Sequence, residues 1–452
     1  MRSFLAVDFG STYTKLNLFD LDKPCLLAQS KGKTTIESSI LLGFQEAFQC
    51  LQQYYPISLN EISEIKVCSS AAGGLEMVVI GLVPELTLDA AKKAALGAGA
   101  RIVQSFSFFL KEEDIKHLEN TNCDILLLTG GSNGGNEEVV LHNAMKLASS
   151  NLSCFFLYSG NEKVQENIRK IFEKGKKTCF FSKNIMPDIN QLSVEDCREK
   201  IREIFFKNII QAKGLEELKK TFSCDIIPTP AAVLQFLENV QDCFPSSMLV
   251  DIGGATTDVH SVCENMLYEK KCFLEGLEEP FSKRTVEGDL GMRYSAPSVW
   301  ENFSKSPDFL EETEWKQSCL FRKAHPHFVA KEKKEKQIDS YLAKLCVQTA
   351  ITRHCGSLRE GYTVSEKVLF QRGKDFRKLQ YLIATGGILV HHENPREILQ
   401  AALQQENEKR LLKPQQPVFL LDSHYLAASL GLLSEMHPEI AKELVKKYFH
   451  QC

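Results

Sequence analysis

Three short stretches of this 452-residue chain place an acidic or hydroxyl residue and then glycine at the end of an apolar run. That grammar suits the holding of phosphate groups. In the first, Asp8-Phe9-Gly10-Ser11-Thr12-Tyr13-Thr14-Lys15, Gly10 lets a backbone approach an anion closely, because no Cβ stands in the way. Ser11 and Thr12 add hydroxyl donors, Thr14 belongs to the same set, and Lys15 supplies a point cation. Asp8 suits a hydrated magnesium ion, which takes one or two carboxylates and fills the rest of its shell with water and phosphate oxygens. An ordinary hairpin with a polar turn fits the same residues, and this motif alone leaves the two readings even.

The second stretch, Asp251-Ile252-Gly253-Gly254-Ala255-Thr256-Thr257-Asp258, repeats the pattern. Gly253 and Gly254, with Thr256 and Thr257, are candidates for the other side of a polyphosphate. Asp251 suits either a magnesium ion or the orientation of an attacking water, the main protein task in phosphoryl transfer. Asp8 and Asp251 are therefore both the catalytic and the metal candidates. The third stretch, Thr385-Gly386-Gly387, lets a flat adenine-ribose lie against the backbone. None is a Walker loop or a dinucleotide fingerprint. Their order and spacing carry the weight.

The elements that must position these loops are short strands. Phe4–Val7 and Lys15–Phe19 flank the first loop as a hairpin, Ser247–Val250 leads into the second, and Tyr381–Ala384 leads into the third. Residues 34–55 carry helical spacing, and Ile65–Cys68 is a further strand. From Ala71 to Ala100 glycine and alanine accumulate, which allows close packing or sharp turns. Strands at 124–128, 155–158 and 178–181 alternate with helices at 137–149, 161–174 and 193–213. This alternation predicts a parallel sheet with right-handed crossovers. Between the first of those strands and its helix lies Gly130-Gly131-Ser132-Asn133-Gly134-Gly135-Asn136, with Asn136 placed as a cap. The loop reads equally as an anion site at a helix N-terminus or as a flexible turn. Residues 297–345 are polar and helical, and the mixed-charge run 331–336 reads as a solvated face.

Hydrophobic residues make up 43% of the chain and charged ones 25%, which excludes a disordered or fibrous chain. The formal net charge of −4 gives no electrostatic case for a nucleic-acid partner. Fifteen cysteines without a single Cys-x-x-Cys pair predict reduced thiols in a cytoplasmic protein and argue against a zinc ribbon. The N-terminal apolar run is only four residues long before Asp8, too short for a signal-peptide core or a membrane helix. No membrane partner is expected.

The order of these motifs resembles the actin/hexokinase/Hsp70-like ATPase superfamily. Pro228–Ala232 is similar to its first connecting helix, Ile383–Gly387 to its adenosine motif, and Asp422–Gly431 to its second connecting helix. Within the superfamily the chain is similar to the MutL/GlmL-type accessory proteins of glutamate mutase. The segments that carry this are 8–15, 73–87, 130–136 and 284–293. The resemblance implies an α/β fold of two actin-like ATPase halves around a nucleotide cleft, with a small α/β domain inserted in the first half. Residues 1–74 and 223–247 would form the first half, 75–222 the inserted, partner-binding domain, and 248–452 the second half. It implies ATP or ADP with Mg2+ as cofactors. The implied partner is an adenosylcobalamin-dependent mutase or aminomutase, reactivated by release of damaged cobalamin at the cost of ATP. It leaves room for a homodimer.

Two other activities fit such a scaffold. A small-molecule kinase needs a catalytic base and a substrate pocket, which no segment clearly supplies. An ATP-driven activator of a 2-hydroxyacyl-CoA dehydratase needs interface cysteines for an iron–sulfur cluster, and the thiols here show no such arrangement. Glu287 and Asp289 read either as cleft-lining acids or as part of a charged turn, and His391-His392 as a surface bend.

Overall fold

Phe4-Leu5-Ala6-Val7 lie wholly buried in strand β1 (Ser3–Phe9), every residue of which is buried. Burial on both faces marks a central strand. The computed structural model that shows this describes residues 2–10, 13–33, 40–70, 75–189, 191–205, 221–222, 224–269, 272–303, 307–362 and 367–452. The chain divides into two units. The first comprises Met1–Val233 with Gly276–Glu278 and Ala428–Met436, and the second the remainder.

In the first unit β1 is followed by β2 (Tyr13–Asp20), β3 (Cys25–Lys33) and β4 (Glu64–Ser69). Next come β5 (Glu76–Gly81), β6 (Arg101–Ser107), β7 (Ile125–Leu128), β8 (Phe155–Tyr158) and β9 (Cys179–Phe181), and then β10 (Ile226–Pro228). One sheet has the order β10-β4-β1-β2-β3. Its first three strands in sequence are antiparallel, while β4 and β10 run parallel to β1.

The other sheet of this unit, β6-β5-β7-β8-β9, is parallel throughout, as the alternation of strands and helices predicted. Successive side chains of a strand point to opposite faces, and here each face feeds a different core. Met77, Val79, Ile125 and Leu127 join one apolar cluster with helices Asp89–Gly97 and Glu195–Ile204 and with β1. Val78, Ile80, Leu126 and Leu128 join another, with helices Glu112–Glu119, Glu138–Ser149 and Gln165–Lys174. Each such Leu, Ile or Val contributes about 1.5–3 kcal/mol by leaving water.

The glycine- and alanine-rich stretch owes its composition to packing. Ala90, Ala91, Ala94 and Ala95 are fully buried on helix Asp89–Gly97. Helix 34–55 is seen as Ile40–Tyr54, and helix 193–213 as Glu195–Ile204. Residues 34–39 and 206–220 lie outside the described residues, as do 71–74.

The second unit holds β11 (Ser247–Ile252), β12 (Thr257–Val262), β13 (Cys272–Leu274), β14 (Ser282–Glu287), β15 (Ser357–Tyr362), β16 (Lys367–Arg372), β17 (Tyr381–Thr385), β18 (Val418–Asp422) and β19 (Phe449–Gln451). Its main sheet has the order β14-β12-β11-β17-β18-β19. Strands β11, β12 and β14 are antiparallel, and β17 and β18 run parallel to β11. Five of these strands thus repeat the plan of the β1 sheet. The 22-residue helix Lys333–His354 packs Ile338, Leu342, Cys346 and Ala350 into a core with Trp315 and β11. Strands β13, β16 and β15 form a separate small sheet.

Candidate functional site

The first hairpin pairs Asp8 with Lys15 and Phe9 with Thr14 across β1 and β2. The Gly10 amide donates to Tyr13 O at 3.1 Å and closes the turn. A Cβ on Gly10 would stand 2.8 Å from that oxygen, so the tight turn needs glycine. Thr14 is fully buried. Ser11 and Thr12 lie outside the described residues. Asp8, at 8% exposure, accepts two hydrogen bonds on Oδ1, from Thr229 Oγ1 at 2.7 Å and Cys68 Sγ at 3.4 Å. Cys68 stands in register with Asp8 on β4. Burial, and then the Asp8 charge, push its thiol well above the usual range, so it stays a neutral donor.

The second hairpin has the same construction. Asp251 faces Asp258 and Ile252 faces Thr257 across β11 and β12, and the Gly253 amide donates to Thr256 O at 2.9 Å. Thr257, fully buried, donates to Leu290 O at 3.0 Å, and Thr256 Oγ1 donates to Asp258 Oδ2 at 3.0 Å. The segment after β14 braces the loop, with Met292 N donating to Gly253 O at 3.0 Å and Arg293 N to Gly254 O at 2.8 Å. Among the described residues no acceptor bonds the amides of Gly254 or Ala255. The hairpins differ in charge at one place: Lys15 of the first corresponds to Asp258 of the second, held by Arg284 at 2.5 Å.

The third loop joins the second within the same unit. Strands β11 and β17 are parallel, with Asp251 in register with Thr385. Gly386 has φ +101°, and a Cβ there would stand 2.5 Å from Ile252 O and 3.0 Å from Asp251 Oδ1. Glycine is required here twice over, by backbone conformation and by the approach to Asp251. Gly387 opens a short helix. Asp422, fully buried at the end of β18, accepts from the amides of Leu426 and Ala427 and from Thr385 Oγ1 at 3.3 Å.

Tyr425 was not singled out by the sequence. Its φ of +55° is strained for a bulky residue, and its hydroxyl lies 3.5 Å from where a Cβ on Gly387 would stand. Burial, then the charges of Asp251 and Asp422, push its phenol up. No local motif announces such a residue. Glu287 and Asp289 are both taken up by Arg353, whose Nη1 donates to Glu287 Oε2 at 2.6 Å and to Asp289 Oδ1 at 2.7 Å.

The loop after β7 is a fixed turn. Gly130, Gly131 and Gly134 all have positive φ. Asn161, fully buried, accepts from Gly134 N at 3.0 Å, and Asn184 donates to Gly131 O at 3.0 Å and to Asn133 Oδ1 at 2.9 Å. Asn136 accepts from Val139 N at 3.2 Å at the start of helix Glu138–Ser149.

In short, Asp8, Gly10, Thr14 and Lys15 share one hairpin of the first unit. Asp251, Gly253, Gly254, Thr256, Thr257, Gly386 and Gly387 gather on the adjoining strand ends of the second. A duplicated sheet plan, with an acid at the end of each first strand and a glycine turn behind it, is the α/β plan of the actin-like ATPases.

Within that class the chain belongs to the MutL protein family. The family model matches residues 4–449. Protein MutL of Clostridium tetanomorphum is 42% identical over 460 residues, covering 99% of each chain. Solved structures similar to this chain are more distant. Nucleotide-free acetone carboxylase is 13% identical with a TM-score of 0.45, over 95% of this chain and 70% of that one. The diol dehydratase-reactivating factor in nucleotide-free form is 10% identical with a TM-score of 0.39, over 97% and 100%. A glycerol dehydratase reactivase is 11% identical with a TM-score of 0.37, over 96% and 99%. The family assignment rests on the sequence matches. Among the described residues no helix is long and apolar enough to cross a membrane.

Proposed function

We propose that this chain is an ATP-dependent accessory protein that reactivates an adenosylcobalamin-dependent mutase, such as glutamate mutase or an aminomutase. The observation that carries the reading is the repeated acid–glycine hairpin in a chain of the MutL family. Asp8, Gly10, Ser11, Thr12, Thr14 and Lys15 on one hairpin, and Asp251, Gly253, Gly254, Thr256 and Thr257 on the other, serve the phosphates of ATP or ADP. Gly386 and Gly387 serve the adenosine. The domain of residues 75–222 grips the client.

Asp8 and Asp251 are the residues that would hold magnesium. Among the described residues no group of three or more His, Cys, Asp or Glu side chains could hold a metal alone. A single carboxylate from either hairpin suits a hydrated magnesium ion, which relies on one or two carboxylates and otherwise on water and phosphate oxygens. When bound, the ion neutralises phosphate charge. Asp251 positions an attacking water, and the Gly254 and Ala255 amides supply donors that cost no reorganisation.

The test is reactivation of an inactivated, cobalamin-loaded glutamate mutase under anaerobic conditions, with ATP, with ADP and without nucleotide. Activity should return only with ATP and this protein. Asp251→Asn should bind ADP normally yet hydrolyse ATP about 10²-fold more slowly. Equal recovery without nucleotide, or hydrolysis at the native rate by Asp251→Asn, refutes the corresponding claim.

A further inference from the structure

The polar helical stretch 297–345 hides a buried ion network that leads to the second glycine loop. Arg322, on helix Glu312–Ala324, is wholly buried, and its Nε donates to Asp339 Oδ1 at 2.7 Å. Asp339, on helix Lys333–His354, is 4% exposed and also receives Arg293, at 3.4 Å from Nη1 and 3.3 Å from Nη2. The Arg293 guanidinium is tied further to Met292 O at 2.7 Å and Phe328 O at 2.9 Å. The backbone of the same residue holds Gly254 O, and that of its neighbour Met292 holds Gly253 O. Ser295 Oγ adds a bond to Ala255 O at 2.5 Å. Every carbonyl from Gly253 to Ala255 is therefore fixed by the segment that Arg293 anchors.

A buried ion network is a poor way to gain stability, because desolvation offsets most of its attraction and apolar side chains of similar volume often do as well. What it offers is geometry: a planar guanidinium and a carboxylate fix one another in distance and angle. Placed behind a glycine turn with little stiffness of its own, such a network sets where the turn's amides stand.

We propose that Arg293 and Asp339 are positioning residues of the nucleotide loop, acting on bound nucleotide through the backbone of residues 253–255 without touching it. This rests on the nucleotide reading above. One lost hydrogen bond from a loop amide to a charged phosphate corresponds to about 10-fold or more in affinity, so the effect should show in binding even where the fold survives.

The test uses the full chain and ADP with magnesium by calorimetry, at a temperature where circular dichroism shows each variant folded. Arg293→Met should raise the ADP Kd about 10-fold or more. Arg293→Lys should recover part of the loss, since an ammonium can still meet Asp339 but not hold Met292 O and Phe328 O as well. A purely structural anchor would lower the unfolding midpoint and leave Kd unchanged. Native affinity in folded Arg293→Met overturns the proposal. Should that variant not fold, native affinity in Arg293→Lys overturns it equally. Failure of the native chain to bind ADP is a different result, and sinks the nucleotide reading itself.

Discussion

Gly431 lies in the middle of helix Ala427–Ser434, where it meets Ala232 of helix Thr229–Asn239. A Cβ at position 431 would stand 1.9 Å from Ala232 O and 2.7 Å from Ala232 C, about 1.5 Å short of ordinary contact with the oxygen. Overpacking costs about 1–3 kcal/mol, and a shortfall of this size against backbone lies at the upper end. Alanine returns about 1 kcal/mol over glycine inside a helix. Gly431→Ala should therefore destabilise by about 2 kcal/mol and lower the thermal midpoint by about 4–8 °C. Circular dichroism on heating is sufficient to measure it. The obstacle is a carbonyl, so adding Ala232→Gly should rescue nothing. An unchanged or raised midpoint in Gly431→Ala, or full rescue by Ala232→Gly, would refute the backbone-contact argument.

Three further outcomes follow from the site. Gly386→Ala, forced against Ile252 O and Asp251 at φ +101°, should abolish ADP binding; calorimetric affinity within threefold of native would contradict the account of that loop. Asn161→Ala frees the Gly134 and Lys163 amides and should impair mutase reactivation while leaving basal ATP hydrolysis near native; coupled assays of both separate the two. Burial, then the Arg284 charge, holds His260 down to about 3, and burial depresses His354 in the same direction. Both are neutral when folded, so the unfolded chain gains protons first as pH falls below about 6.5. The histidine contribution to stability should be complete above pH 7 and be lost toward pH 3, with His260 alone accounting for about 2 kcal/mol of loss by pH 5. Urea midpoints across that range test the sign, and in His260→Gln the slope should be shallower.

What was legible in the sequence was local. The apolar runs at 4–7, 125–128 and 381–384 are strands because their burial on both faces needs nothing but side-chain type. The glycine turns were legible because the turn chemistry sits in consecutive residues. The rest depended on distance along the chain. Thr229 reaches Asp8 across 221 residues, and Tyr425 reaches Gly387 only because β17 and β18 are neighbours. The small sheet β13-β16-β15 was missed, since its strands are short and partly exposed. The mixed-charge run 331–336 reads as a solvated face, yet Glu335 Oε2 accepts from buried Arg322 at 2.8 Å. A charge pattern reports composition and not which charge finds a buried partner.

The one difference in charge between the two hairpins explains part of the segment 284–293. Across β11 and β12, Asp251 and Asp258 are direct partners, and like charges in that relation destabilise a sheet. In the first hairpin the same relation joins Asp8 to Lys15, and no compensation is needed. In the second, Arg284 from β14 takes Asp258 Oδ1 through Nε at 3.0 Å and Nη2 at 2.5 Å, with its own side chain only 3% exposed. The pair is neutral as a unit, so the Asp251 carboxylate no longer faces an uncompensated negative charge. Arg284 thus stands to Asp251 as Lys15 stands to Asp8, but one strand further out. A duplicated plan can keep its acid and its glycine turn and still move the compensating cation. That is why charge compensation in the second hairpin reaches out to β14, while in the first it lies within two strands.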